Sequence, residues 1–373
     1  MTANDPRASS RRVVIIGAHL GSGPSMLRYT GELERAYSTL GHEVSVLRPT
    51  DALSRHAPGP IAKWLRYVEK LVLFPVAIWT RTRRADLVHI ADHSDAPYVG
   101  WVHAGRPRLI TCHDLFAVNA ARNMYPGVRT RWTGRVYQAY IARSLRRADA
   151  VIAVSEQTAE DVRRLLGQRM PIYVVPNPLS ESMLSVGPAA EERTEHVLIV
   201  SGVSWRKRRE LAIRVWCQLR REAEIPPLVV VGPPFTTLEL DVLAEFGVSK
   251  AEVSQRAAVP DEELVRLYRE SAFLIQFSQY EGYCWPILEA NSQATLALCA
   301  DEPQLRAVGP DNVFVEAATM KGMDAGVILQ QLAEPAARKR AAAHARAFTP
   351  RRFAESLGAV VSDVGLGDSR MGS

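Results

Sequence analysis

Several signals that would fix the class of this chain at once are missing. The four cysteines, Cys112, Cys217, Cys284 and Cys299, lie far apart in 373 residues and form no CxxC or Cys/His spacing. A disulfide framework and a structural zinc are excluded on that pattern, and a reducing cytoplasm is the expected compartment. No apolar run reaches the ~20 residues needed to cross a bilayer. The stretch before the first strand, Met1–Arg12, is polar and basic with no apolar region of a secretory signal. Lysine is scarce, six of 46 cations, so each one carries more information than an arginine. The net charge of +6 is spread thinly along the chain, which speaks for solubility and against a nucleic-acid partner.

What is present is an alternation of short apolar runs with helical periods. Val13–Gly17 reads as a buried strand, and Met26, Tyr29, Leu33, Ala36, Tyr37 and Leu40 lie on one helical face ended by Gly41. Val44–Leu47 returns as a strand, completing a βαβ unit and predicting a parallel sheet. Further strands are read at residues 86–90, 108–112, 148–155 and 172–178, then at 196–200, 228–232 and 273–277. The glycines of the loop from Gly17 to Ser25 do not fit G-x-G-x-x-G. The second strand leads into Arg48-Pro49-Thr50 and not into an acid for a ribose diol, which argues against a dinucleotide cofactor.

The most informative stretch follows the strand at 273–277: Tyr280-Glu281-Gly282-Tyr283-Cys284-Trp285-Pro286-Ile287-Leu288-Glu289-Ala290. Pro286 suits the first turn of a helix. Glu281 then falls in the preceding loop and Glu289 about one turn into the helix, so both carboxylates are expected to face whatever sits above the helix N-terminus. Free N–H groups and the helix dipole favour an anion there. Two carboxylates flanking an anion seat suit a ligand with hydroxyls at both ends and phosphates between. The spacing alone equally fits a dipole-stabilised helix carboxylate and a solvated loop charge. A second cationic element, Trp205-Arg206-Lys207-Arg208-Arg209, opens a helix after the strand at 196–200. Positive charge at a helix start is disfavoured by the dipole, which argues for an anion held by Arg206 and Lys207.

Histidines and acids cluster at two strand ends, Asp92-His93 and His113-Asp114, where open parallel sheets place ligands. Residues 61–84 hold the nearest thing to a membrane signal, an apolar core from Leu71 to Trp79 flanked by Lys63, Arg66, Lys70, Arg81, Arg83 and Arg84. Its expected fate is a helix packed on the sheet, with an interfacial helix as the alternative.

Taken together these motifs resemble the retaining GT-B glycosyltransferases, specifically glycosyltransferase family 4. Glu281 to Ala290 is similar to E-G-[FY]-G-x-P-x-x-E-A, Thr111 to Leu115 to T-x-H-D-L, and Ala148 to Ser155 and Val174 to Pro178 to A-D-x-V-I-A-V-S and V-I-P-N-G. Arg206 and Lys207 match the basic pair of the donor-phosphate loop, with Arg208 in place of the usual Asn or Gly and the loop one residue shorter. The resemblance implies an α/β fold of two Rossmann-like domains facing across a cleft, residues 13–185 and 195–347. It also implies a linker near 180–195, a helix at 350–364 crossing back to the first domain, and disordered ends at 1–12 and 365–373.

On that resemblance, Arg206, Lys207, Glu281, Gly282, Tyr283, Cys284, Trp285, Glu289 and Val259, with the backbone near Ala258, form the donor site. The side chain of Cys284, where the family has Gly or Ser, reshapes the sugar pocket. Gly21, Ser22, Gly23, Asp92, His93 and His113 lie on the acceptor side, and His113, Glu281, Arg206 and Lys207 carry the chemistry. The implied reaction is metal-independent transfer with retention, by front-face attack, from a nucleoside-diphosphate sugar to a small-molecule or lipid-linked acceptor. No cofactor beyond that co-substrate is expected. The alternatives are a sulfur or nitrogen nucleophile, a nucleotide-sugar epimerase, a glycoside hydrolase, and an inactive binding scaffold.

Overall fold

The computed structural model of the chain describes residues 10–125, 127–187, 195–249, 251–257, 259–316 and 324–367. In chain order its strands are β1 Arg12–Ile16, β2 Glu43–Leu47, β3 Leu87–Ile90, β4 Arg108–Cys112, β5 Ala150–Ala153 and β6 Ile172–Val174, followed by β7 His196–Val200, β8 Leu228–Val231, β9 Val253–Arg256, β10 Ser271–Gln276, β11 Ala297–Ala300 and β12 Val313–Val315. They form two six-stranded sheets in which every pairing is parallel. The chain divides into two compact units, Met1–Asn177 with Pro350–Ser373, and Pro178–Thr349.

In the first unit the strand order is β2-β1-β3-β4-β5-β6. The central strands are apolar on both faces because helices cover both, so Val88, Ile90, Ile110 and Val151 are fully buried. Each such side chain contributes about 1.5–3 kcal/mol of burial. The chain runs outward from β1 to β2, then returns to the other side of β1 as β3. That reversal is a topological switch point, and a crevice opens at the strand ends there. The helix Pro24–Thr39 packs against the C-terminal helix Pro350–Gly367. A Cβ at Gly358 would lie 3.2 Å from Leu40, so the absent side chain permits the close approach. Tyr173 donates to Asp363 to tie the same helix down.

In the second unit the order is β12-β11-β10-β7-β8-β9. Here the chain runs from β7 through β8 to β9, then crosses to the far side of β7 as β10, giving a second switch point between β7 and β10. Trp216, Tyr268, Phe273 and Phe277 are among its largest fully buried side chains.

Several expectations need correction. The division falls at Asn177/Pro178 and not after residue 185. The stretch read as a linker begins with a helix, Glu181–Ser185, that packs in the second unit against the Asp261–Glu270 helix. Its Ser180 hydroxyl caps Met183, and serine at that place is a helix start as readily as a loop. Arg12 is in β1, and the terminal helix extends to Gly367. Residues 1–9, Ala258 and 368–373 lie outside the described residues.

Candidate active site

In the second unit, the ends of β7 and β10 at the switch point each feed a loop, and the two loops are stitched together. Gln279 donates its backbone N–H to the carbonyl of Arg206 at 2.8 Å, and the Arg206 guanidinium donates to the Tyr280 carbonyl at 3.4 Å. Gln304 donates to the Gln279 carbonyl at 2.6 Å. Across this seam Lys207 Nζ donates to Glu281 Oε1 at 2.6 Å. The chain reaches Lys207 through a 3-10 turn, Trp205–Lys207, and leaves it through Arg208, whose φ of 45° and ψ of 41° are left-handed. The helix Trp285–Ser292 begins just beyond Glu281, with Pro286 in its first turn and no capping hydrogen bond from Cys284.

Glu289 is placed differently from the expectation. It lies in that helix, 3% exposed, and accepts a hydrogen bond from the Tyr268 hydroxyl at 2.9 Å. One turn into the helix the side chain points back under the N-terminus, so Glu281 stands at the rim while Glu289 lies beneath it. Cys284 also departs from its expected part. Its side chain is buried in the core of the unit with Ile287 and Leu288 and so fills space below the loop. Trp285 donates its indole N–H to the Pro178 carbonyl at 3.1 Å, and Val259 packs on the edge of the core. The Tyr283 hydroxyl is buried with no hydrogen-bond partner among the described residues.

In the first unit, the ends of β1 and β3 at the switch point border a cavity of 990 Å³. Gly21, Ser22 and Asp92 line it, joined by His19, Asp51, Lys70 and Asp95. His19 pairs with Asp51 at 3.0 Å, and its ring nitrogen accepts the Gly21 N–H at 2.9 Å, which fixes the loop after β1. Gly23, His93 and His113 are not among the lining residues. His93 is buried, 2.9 Å from Asp92. His113, just past β4, lies 3.0 Å from the Ala91 carbonyl through Nε2 and packs edge-on to Tyr29 at 4.4 Å. Since a carbonyl can only accept, Nε2 carries the proton in this contact.

The sequence profile of Glycosyltransferase Family 4 matches residues 26–182, which include the Thr111–Leu115 and Ala148–Ser155 motifs. Over that stretch the chain is similar to the glycosyltransferase family 4 domain. The two parallel sheets share the GT-B fold of the solved structures they resemble. Among solved structures, it resembles trehalose 6-phosphate synthase from Burkholderia multivorans with a TM-score of 0.71 and 12% identity, over 96% of this chain and 98% of that one. Sucrose-phosphate synthase from Thermosynechococcus elongatus matches at 0.69 and 16%, over 96% and 100%. Anabaena HepE in complex with UDP-glucose matches at 0.68 and 13%, over 95% and 100%. At these identities the likeness is one of fold. Among curated proteins none matches by sequence.

The electrostatics of the first-unit cavity follow from burial. Burial raises Asp92, but His93 and the Ser94 hydroxyl outweigh it and hold the carboxyl well below the ordinary range. Burial lowers His93, and Asp92 reverses this and raises it. Asp95 is pushed up to about 6 by burial and then by the charge of Asp92, with Lys70 opposing. Burial holds His113 below its ordinary value against the pull of Asp92.

Four cavity residues, His19, Asp51, Lys70 and Asp95, were not read from the sequence as site residues, Lys70 having been noted only as a flank of the apolar run at 71–79. None belongs to a spaced motif, and the topology alone brings them together. The same holds for Arg209 and Glu239 in the second unit. They form a fully buried pair with two contacts of 2.6 Å, beneath the loop that carries Lys207.

Proposed function

We propose that this glycosyltransferase moves a sugar from a nucleoside-diphosphate sugar held by the second unit to a hydroxyl acceptor held by the first. The observation that carries this reading is the pairing of Lys207 with Glu281 at 2.6 Å just before the N-terminus of the Trp285–Ser292 helix, at the switch point between β7 and β10. Lys207, Arg206 and the helix N–H groups supply positive charge where a diphosphate leaves, and Glu281 supplies acceptor oxygens for sugar hydroxyls. A glycoside hydrolase would have no use for the cationic half of this arrangement.

In the reaction, the bond between the anomeric carbon and the diphosphate oxygen breaks as the acceptor oxygen attacks the same face. The departing phosphate oxygen takes the acceptor proton, and configuration is retained. Glu289, held by Tyr268 under the loop, is the carboxylate assigned to the nucleotide ribose. His113 and Asp92 lie on the acceptor side, where a neutral imidazole and an ionised carboxylate orient a hydroxyl.

The test is a thermal-shift panel of UDP, GDP, ADP, dTDP and CDP, because a ligand of the folded state raises the melting temperature by mass action. HepE, described in complex with UDP-glucose, makes UDP the first to try. One diphosphate should stabilise the wild type and not Lys207→Ala, and the matching sugar donor should then release its sugar with the donor's anomeric configuration. Inversion of that configuration, or cleavage of simple glycosides without any nucleotide, would refute the proposal.

A further inference from the structure

The helical segment Gly59–Thr82 of the first unit turns its apolar stripe outward. Ile61, Trp64, Val68, Leu71, Val76 and Trp79 are all exposed, Trp64 at 74% and Leu71 at 61%. They recur every three to five residues. The five-residue step falls across a single π turn, Glu69–Leu73, whose extra residue returns the stripe to the same face. A second helix, Trp132–Leu145, likewise exposes Trp132 at 76%, with Val136, Tyr137 and Tyr140 beside it. The segment His93–Trp101 packs against both the Phe74–Thr82 part of the first segment and the second helix, so the two stripes lie on neighbouring elements of one unit. A face on this scale is unusual for a surface that meets only water.

The charge on these segments is one-sided. Residues 54–85 hold seven cations and one acid, Glu69, and residues 115–148 hold seven arginines and no acid. Glu69 is 3% exposed and spends its oxygens on Ser54 and the Leu53 N–H. The two segments sum to +13 in a chain whose total is +6, so the remaining residues sum to −7. The positive charge that reads as spread thinly along the sequence is therefore concentrated on the elements that expose the apolar stripes.

We propose that this face docks on an anionic phospholipid bilayer. Apolar and indole side chains enter the headgroup boundary, and the flanking cations meet the lipid phosphates, as for interfacial helices generally. Two copies meeting through the face would oppose like charges. A nucleic acid would match the arginines and aromatics but leave Ile61, Val68, Leu71 and Val76 without a partner. Among the described residues no helix is long and apolar enough to cross a membrane, so the contact is peripheral. Gly59 and Lys70 also line the 990 Å³ cavity, so docking sets that cavity beside the headgroups. On the transferase reading alone, this favours a lipid-linked acceptor.

The test is co-sedimentation of the full chain with vesicles of phosphatidylglycerol and phosphatidylcholine, against vesicles of phosphatidylcholine alone. The wild type should pellet with the anionic vesicles and partition at least about tenfold more weakly in 1 M salt, where the Debye length is about 3 Å. Trp64→Ser with Leu71→Ser should weaken partition by about tenfold or more while the melting temperature is unchanged. Leu240→Ser, an exposed leucine of the second unit, should bind as the wild type. Equal binding to neutral vesicles, no binding to anionic ones, an unaffected double variant, or a dimer that the double variant abolishes would overturn the proposal. None of these outcomes depends on the nucleotide, so docking and transfer fail separately.

Discussion

Replacing Glu239 with glutamine tests how the donor loop is supported. Arg209 is 1% exposed and Glu239 2%, and their two contacts of 2.6 Å bury a full charge on each side. Arg209 also donates to the carbonyls of Pro233 at 2.8 Å and Pro234 at 3.1 Å, and it approaches Ser201 at 3.4 Å. The guanidinium thus ties the start of the loop that carries Arg206 and Lys207 to the segment after β8. Glutamine keeps the shape but removes the countercharge, and breaking a buried pair on one side costs about 3–5 kcal/mol. At about 2–4 °C per kcal/mol for a body of this size, Glu239→Gln should lower the melting temperature by roughly 6–20 °C.

The pH dependence gives a second readout. Burial raises the Glu239 carboxyl, and Arg209 with the Thr236 N–H outweighs it and holds it below the ordinary value. Its contribution is therefore present above the unfolded pKa and lost as pH falls through the folded one, and Glu239→Gln should flatten that acid limb. The double change Arg209→Met with Glu239→Leu should recover most of the loss, because no uncompensated charge stays buried. A Glu239→Gln protein that melts like the wild type, or a double variant as weak as the single, would refute the reasoning.

Three further outcomes follow from particular residues. Arg208 is left-handed with φ 45°, so Arg208→Val should cost about 1–2 kcal/mol in urea denaturation while Arg208→Gly costs little or none. A Cβ at Gly232 would lie 2.1 Å from the Ser201 carbonyl at φ 149°, so Gly232→Ala must move backbone and should cost about 1–3 kcal/mol by the same measurement. His89 is fully buried between Tyr37 at 2.9 Å and Thr111 at 2.8 Å, and burial pushes it down to about 3. Its folded pKa lies below the unfolded one, so stability is full above about pH 6.5 and falls by up to ~1.4 kcal/mol per unit toward pH 3. His89→Gln should reduce that slope.

Much of the architecture was legible because β1, β5, β7, β8 and β10 each carry a run of at least four apolar residues, and such runs imply strands covered on both faces. β9 was not legible, since Ser254, Gln255 and Arg256 read as loop on an edge strand. β11 was hidden by its two alanines. Strand order, and with it the two switch points, is a property of the assembled sheets that no local pattern reports. The motif residues Arg206, Lys207 and Glu281 were legible as chemistry, and the structure brings Lys207 and Glu281 together. Glu289 was legible as a carboxylate at the right place but not as one covered by Tyr268. The outward stripe from Ile61 to Trp79 was read as a packed helix, because hydrophobic period shows that a helix is one-sided without showing which side faces the core.

The central claim is that Lys207 and its loop hold a nucleoside diphosphate. Isothermal titration of the stabilising diphosphate into wild type, Lys207→Ala and His113→Ala tests it most directly. Loss of a charge-assisted contact of about 1.5–3 kcal/mol should weaken Lys207→Ala by roughly 10- to 150-fold, with His113→Ala unchanged within about twofold. Equal affinity for Lys207→Ala and wild type, with both proteins folded, would contradict the account.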